Sequence, residues 1–160
     1  MGKSERPYHA WETMMIGEWV AQTFPTARWV TNVRLGTLQP RNDHGQFSQG
    51  ELELLGVWRR RVDAIVYLPD RLLLVEAVLR SHPGKLSVLK LYEALARQTP
   101  ELADFQALPI QLVLLYCVED PVLNELARQQ GILCVQYVPT FFDAWFATLR
   151  RREQQASRST

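Results

Sequence analysis

Cysteine and histidine are scarce here, at two and three residues among 160. Cys117 and Cys134 cannot make a disulfide framework, and without a CxxC pair or a Cys/His cluster there is no ligand set for a structural zinc. A reducing compartment follows, and the cytoplasm is the expected location. Long hydrophobic runs are missing too. Apolar stretches such as Arg71 to Leu79 are strand-sized and far short of a membrane span. The polar start Met1 to Pro7, and the interruption of the next stretch by Glu12 and Glu18, match neither a signal peptide nor an anchor, so no membrane partner is expected. Charge of one sign is not in excess: 18 Lys+Arg against 17 Asp+Glu leave a formal charge of +1. No global positive field announces a polyanion, so any nucleic-acid site must be local.

What is present is a core. Hydrophobic residues make up 47%, with five Trp, five Tyr and six Phe, which excludes a disordered chain and suits one domain. That domain is expected over residues 1–152, with a polar tail at 153–160. From Tyr8 to Phe24, Trp11, Met14, Met15 and Trp19 recur at helical spacing until Pro25 stops the run. Arg28 to Leu38 alternates as a strand, and Gln39 to Gly50 is a loop rich in turn formers. Val57 to Leu68 and Arg71 to Leu79 read as two strands around Pro69-Asp70, close enough for an antiparallel hairpin. Lys85 to Gln98 returns to helical spacing, and Pro109 to Val118 is a strand covered on both faces. Asp120-Pro121 starts a helix that Gly131 ends, Ile132 to Val138 is a further buried strand, and Thr140 opens a last amphipathic helix. The order α-β-β-β-α-β-α-β-α predicts an α/β fold with a mixed sheet flanked by helices.

Two acids stand out against this pattern. Period-two alternation puts Arg59, Arg61, Asp63 and Ile65 on one face of their strand, and Leu74, Glu76 and Val78 on one face of the next. Asp63 and Glu76 are each embedded in apolar neighbours, where a carboxylate is costly unless paired, hydrogen-bonded or bound to a metal. Each also has an ordinary reading, as the partner of an arginine at a sheet end, for which Arg59, Arg60 and Arg61 are available.

Arg61-Val62-Asp63-Ala64 and Val75-Glu76-Ala77-Val78, in this order of elements, resemble the PD-(D/E)XK nuclease superfamily, the restriction-endonuclease-like fold. The resemblance runs from the first helix to Val138. It implies that Asp63 and Glu76 hold one or two Mg²⁺ or Mn²⁺ ions that activate water for phosphodiester hydrolysis. It also implies a glutamate on the first helix as a further metal ligand, for which Glu18 is preferred to Glu12. One departure is plain: the motif lysine should stand two residues after Glu76, and Val78 stands there. Some members carry that lysine on the following helix, which makes Lys90 and Lys85 the candidates, with Lys90 preferred. A lysine there would position water and offset charge growing on the phosphate.

The remaining features are ordinary. Arg60 must point opposite to Arg59 and Arg61 on a strand, and Arg150-Arg151-Arg152 sits where a helix end favours cations. The five tryptophans fit core positions, and His9, His44 and His82 form no ligand spacing. No Walker loop, nucleophile elbow or dinucleotide fingerprint occurs, so no nucleotide cofactor is expected. The first expectation is therefore a metal-dependent DNA nuclease with a displaced lysine. The alternative, suggested by Val78 and the near-zero charge, is an inactive nuclease-like fold acting as a structural or adaptor protein, in a virion or a DNA-processing complex. Protein partners or a homo-oligomer belong to that alternative.

Overall fold

Proline and glycine punctuate the chain where its elements end. The computed structural model describes residues 7–36 and 60–158, together with Ser48 and Glu51. The first helix, α1 (Pro7–Thr23), stops before Pro25, and strands β1 (Arg28–Arg34), β2 (Arg61–Tyr67) and β3 (Leu72–Val78) follow. Helix α2 (Gly84–Ala96) and a short 3₁₀ helix (Pro100–Phe105) lead to β4 (Ile110–Tyr116). Helix α3 (Pro121–Gln129), β5 (Ile132–Gln136) and α4 (Phe142–Arg158) complete the order. The expected α/β order is the observed one. The predicted loop at Gln39–Gly50 and the strand start at Val57–Arg59 fall outside the described residues, Ser48 excepted.

The five strands form one mixed sheet in the order β1-β2-β3-β4-β5. β1, β2 and β3 pair antiparallel, while β3–β4 and β4–β5 are parallel, as crossovers through helices require. The hairpin between β2 and β3 closes through Leu68 N–H donating to the Arg71 carbonyl, with Pro69-Asp70 at its tip. Helix α3 begins as its sequence dictates: the Asp120 carboxylate accepts from the N–H groups of Val122 and Leu123, and Pro121 needs no donor there. Gly131 follows at φ 71, the left-handed position that glycine adopts without a side-chain clash.

Two apolar layers sandwich the sheet. On one face Leu86, Leu89, Leu102, Leu123 and Ala127, from α2, the 3₁₀ helix and α3, pack on Leu72, Leu74, Val78, Leu112 and Leu114. On the other, Met15, Ile16, Trp19 and Val20 of α1 and Trp145 of α4 pack on Leu73, Val75, Ala77, Val113 and Leu115. Each such buried aliphatic side chain contributes about 1.5–3 kcal/mol relative to exposure. The buried stripe of α1 is rotated from the predicted one: Ile16 and Val20 are inside, and Met14 is exposed. Helix α4 continues through the expected tail to Arg158, and Arg80 lies 3.8 Å from Glu153 on it.

Strict alternation fails at one place. Val30 and Val33 of β1 pack in the same layer, as do Val62 and Ile65 of β2, so the faces exchange between them. The register is unchanged across the step, since Thr31 pairs with Ala64 and Val33 with Val62. The residue between, Asn32, has φ 54, a left-handed conformation that asparagine tolerates better than most. The predicted common face of Arg61, Asp63 and Ile65 is therefore broken at Asp63. Arg61 turns away and donates to the Asn32 carbonyl at 3.0 Å.

Candidate active site at the open end of β2 and β3

The ladder between β2 and β3 ends at the pair Ala64–Val75. Beyond it, side chains replace the backbone. The Asp63 N–H donates to Glu76 Oε1 at 3.0 Å, and the Ala77 N–H donates to Asp63 Oδ2 at 3.0 Å. Two amides that the ladder would leave without partners are thus capped reciprocally by the two predicted acids. Glu76 is 1% exposed on the α2 and α3 side of the sheet, and Asp63 is half-buried.

Lys85, in the first turn of α2, reaches back to this pair and donates from Nζ to Glu76 Oε2 at 2.5 Å. Its position follows from Pro83-Gly84, which start α2 immediately above the end of β3. Lys90, the preferred candidate, is not brought in: it faces out of α2 and pairs with Glu93 at 2.6 Å. The cause is helical phase, since Leu86 and Leu89 turn inward and carry Lys90 outward.

The same kind of phase decides between the two glutamates of α1. Glu18 does not join the acids. Its carboxylate accepts from Thr140 N–H at 2.9 Å, from the Thr140 hydroxyl, and from the Tyr137 hydroxyl at 3.3 Å, tying α1 to the segment before α4. Those bonds, the Thr140 hydroxyl first, hold it below the usual carboxylate range. Glu12, set aside in the sequence, is the glutamate that feels Asp63, Lys85 and Glu76.

The electrostatics are those of a crowded acid cluster. Burial first, then the Asp63 charge, push Glu76 from 4.5 up to about 7 despite Lys85. Burial and Asp63 do the same to Glu12, also to about 7. Burial lowers the pKa of the Lys85 ammonium, yet Glu76 and Asp63 together outweigh it and hold the ammonium above its ordinary value. Tyr92, two turns along α2, completes the surroundings. Burial and then Glu76 raise its hydroxyl to about 12, so it remains a proton donor.

The donor chemistry fits a hard divalent cation. Mg²⁺ is commonly held by one or two carboxylates, with water and substrate phosphate supplying the rest, and Asp63 and Glu76 are two carboxylates whose mutual repulsion a cation would relieve. Among the described residues no group of three or more His, Cys, Asp or Glu is placed to hold a metal ion. No described helix is long and apolar enough to cross a membrane. The cysteines are free; Cys117 is buried and its thiol pushed up to about 11 by that burial.

No family model and no curated protein matches the sequence. Among solved structures the chain is similar to the crystal structure of AF1548, a protein of unknown function, at 11% identity and a TM-score of 0.44. The match covers 76% of this chain and 56% of that one, so the chain spans little more than half the length of AF1548.

Proposed function

We propose that the chain is a metal-dependent nuclease that hydrolyses DNA phosphodiesters, of the restriction-endonuclease-like type, with its motif lysine displaced from position 78 to Lys85. The observation that carries the reading is the contact of the Lys85 ammonium with Glu76, which itself bonds to Asp63. Val78 leaves the usual lysine position apolar, and a lysine from the next helix arrives at the same carboxylate.

In this reading Asp63 and Glu76 hold Mg²⁺ or Mn²⁺. The ion, when bound, would lower the pKa of a coordinated water and offset negative charge developing on the phosphate. Lys85 orients the water or the phosphate by its three donors. Glu12, beside these groups, is the carboxylate that would accept the proton of the attacking water. The expected compartment is the cytoplasm, and the expected partner is DNA.

A second reading has its own supporting observation. Val78 is 3% exposed and belongs to the core, and both Glu76 oxygens already have partners, as a structural use of the acids would require. The chain would then be an inactive nuclease-like scaffold in a virion or a DNA-processing complex.

Incubating supercoiled and linear DNA with Mg²⁺ or Mn²⁺ separates the two. The nuclease reading expects metal-dependent cutting that is lost in a folded Asp63→Asn/Glu76→Gln variant. Equal inactivity of both proteins, with no metal binding by calorimetry, would select the scaffold.

A further inference from the structure

Lys85 reaches Glu76 from the wrong end of its own helix. It stands in the first turn of α2, where free N–H groups favour anions and disfavour cations, and that turn holds no acidic residue and no side-chain cap. What keeps the ammonium there is the Glu76 carboxylate, 2.5 Å from Nζ. The two partners are unequally enclosed. The Glu76 side chain is 1% exposed, whereas the Lys85 side chain is 21% exposed, on a flexible four-carbon stem with a way out to solvent. Leu86 and Leu89 anchor α2 on the sheet, so the lysine can swing while its helix stays in place.

The carboxylate oxygens divide between two kinds of partner. Glu76 Oε1 and Asp63 Oδ2 accept backbone amides and stitch β2 to β3, while Glu76 Oε2 accepts from the Lys85 side chain. Oε2 is therefore the Glu76 oxygen that an incoming cation can claim without unpicking the sheet. Sharing it is unfavourable. Mg²⁺ sits about 2.1 Å from a carboxylate oxygen, which would bring it within about 5 Å of an ammonium on the same atom, a separation at which like charges repel strongly in a buried site.

We propose that Lys85 is the resident cation of this site: in the metal-free chain its ammonium holds the place of a divalent ion on Glu76, and the ion binds by exchanging with it. The exchange rests on the reading of Asp63 and Glu76 as metal ligands, and it gives Lys85 a part in binding before any part in cleavage. The released ammonium is then free to face a phosphate. An occupied site also grades its ligands, because apparent affinity for the ion falls in proportion to the time that Oε2 is already taken. Weak cations would fail to displace the lysine.

Calorimetric titration of the full chain with Mg²⁺, in the absence of DNA, tests the exchange. Lys85→Met should bind Mg²⁺ about tenfold or more tighter than the unaltered chain, the gain from freeing a site that the lysine holds about nine-tenths of the time or more. Lys90→Met, which removes an equal charge from the outer side of the same helix, should bind as the unaltered chain does. Circular dichroism checks that Lys85→Met folds, and a second readout needs no variant. The chain has three lysines, Lys3, Lys85 and Lys90, so reductive methylation read by mass spectrometry resolves each; saturating Mg²⁺ should quicken modification of Lys85 and leave Lys90 unchanged. Modification of Lys85 that slows or keeps its pace with Mg²⁺ overturns the proposal, as does equal or weaker binding by folded Lys85→Met, a gain shared by Lys90→Met, or no binding by any of the three. DNA cutting is scored apart: exchange without cutting would strike the nuclease reading and leave the exchange standing.

Discussion

Glu76 is held from two sides by two unrelated parts of the chain, the backbone of Asp63 on the neighbouring strand and the ammonium of Lys85 on the following helix. Burial makes that arrangement consequential. A carboxylate in the core, next to a second carboxylate, keeps its charge only while those partners remain.

Replacing Lys85 by Met should therefore destabilise the domain. Removing one member of a buried pair leaves the other uncompensated, and with the lysine side chain partly solvated the loss should be about 2–4 kcal/mol. Urea unfolding at neutral pH measures it. Lys90→Met, at an exposed pair, should cost under about 1 kcal/mol and leave cleavage unchanged. If the two variants behaved alike, Lys85 would lose its assigned role.

Stability should fall as pH rises between about 4.5 and 7. Glu12 and Glu76 are both raised to about 7, so the folded chain holds protons there that the unfolded chain has released, and each proton given up costs stability. Above that window their effect levels off. The lowered acids Glu18, Asp120 and Glu125 act in the opposite sense, losing stability only as pH drops below their ordinary values, 4.5 for the two glutamates and 3.8 for Asp120. Lys85, raised, contributes at all these values and loses its effect only above its ordinary 10.5. Urea midpoints at pH 5 and pH 8 read the slope, and Glu12→Gln/Glu76→Gln should flatten it.

Much of this was legible beforehand where the signal is local. Asp120-Pro121 and Gly131 bracket α3 within one helix, and Pro69-Asp70 marks the hairpin, so both ends were readable from adjacent residues. Asp63 and Glu76 could be singled out because carboxylates inside apolar strands are anomalous. The choices between Lys85 and Lys90, and between Glu12 and Glu18, were not local. Each is a rotation of a helix about its axis, fixed by which apolar residues the sheet accepts; Ile16 and Val20 going inward turned α1 away from the predicted stripe. The exchange of faces at Asn32 was also hidden, since nothing in an alternating strand announces a left-handed residue.

The two glutamates of α1 should separate by experiment. Glu18→Gln weakens a tether to Thr140 and Tyr137, at a cost of about 1 kcal/mol, with metal-dependent cleavage unaffected. Glu12→Gln should leave the fold at least as stable at pH 8 and, on the nuclease reading, reduce cleavage about a hundredfold or more, the loss expected on removing a general base. Cleavage that tracked Glu18 instead would return the site to its sequence-based form.

Asp120→Ala should destabilise the domain, as loss of a helix cap does. Its carboxylate also accepts the Ser81 hydroxyl at 2.5 Å, so the substitution frees the loop after β3 from the loop after β4. Ser81→Ala, which removes only the second bond, should cost less; thermal unfolding of the two variants compares them.

Because the β2–β3 ladder gives out at Ala64 and Val75, the last stitches between those strands are made by carboxylates. Such stitches are interchangeable in a way that backbone ladders are not. A ligand that displaces Glu76 Oε1 or Asp63 Oδ2 frees the amide of Asp63 or Ala77, whereas one that takes the other oxygens leaves both amides held. The site therefore carries its own reporter, two amide hydrogens whose exchange with deuterated solvent tells which oxygens are claimed, against those of Ala64 and Val75 as the unchanged reference.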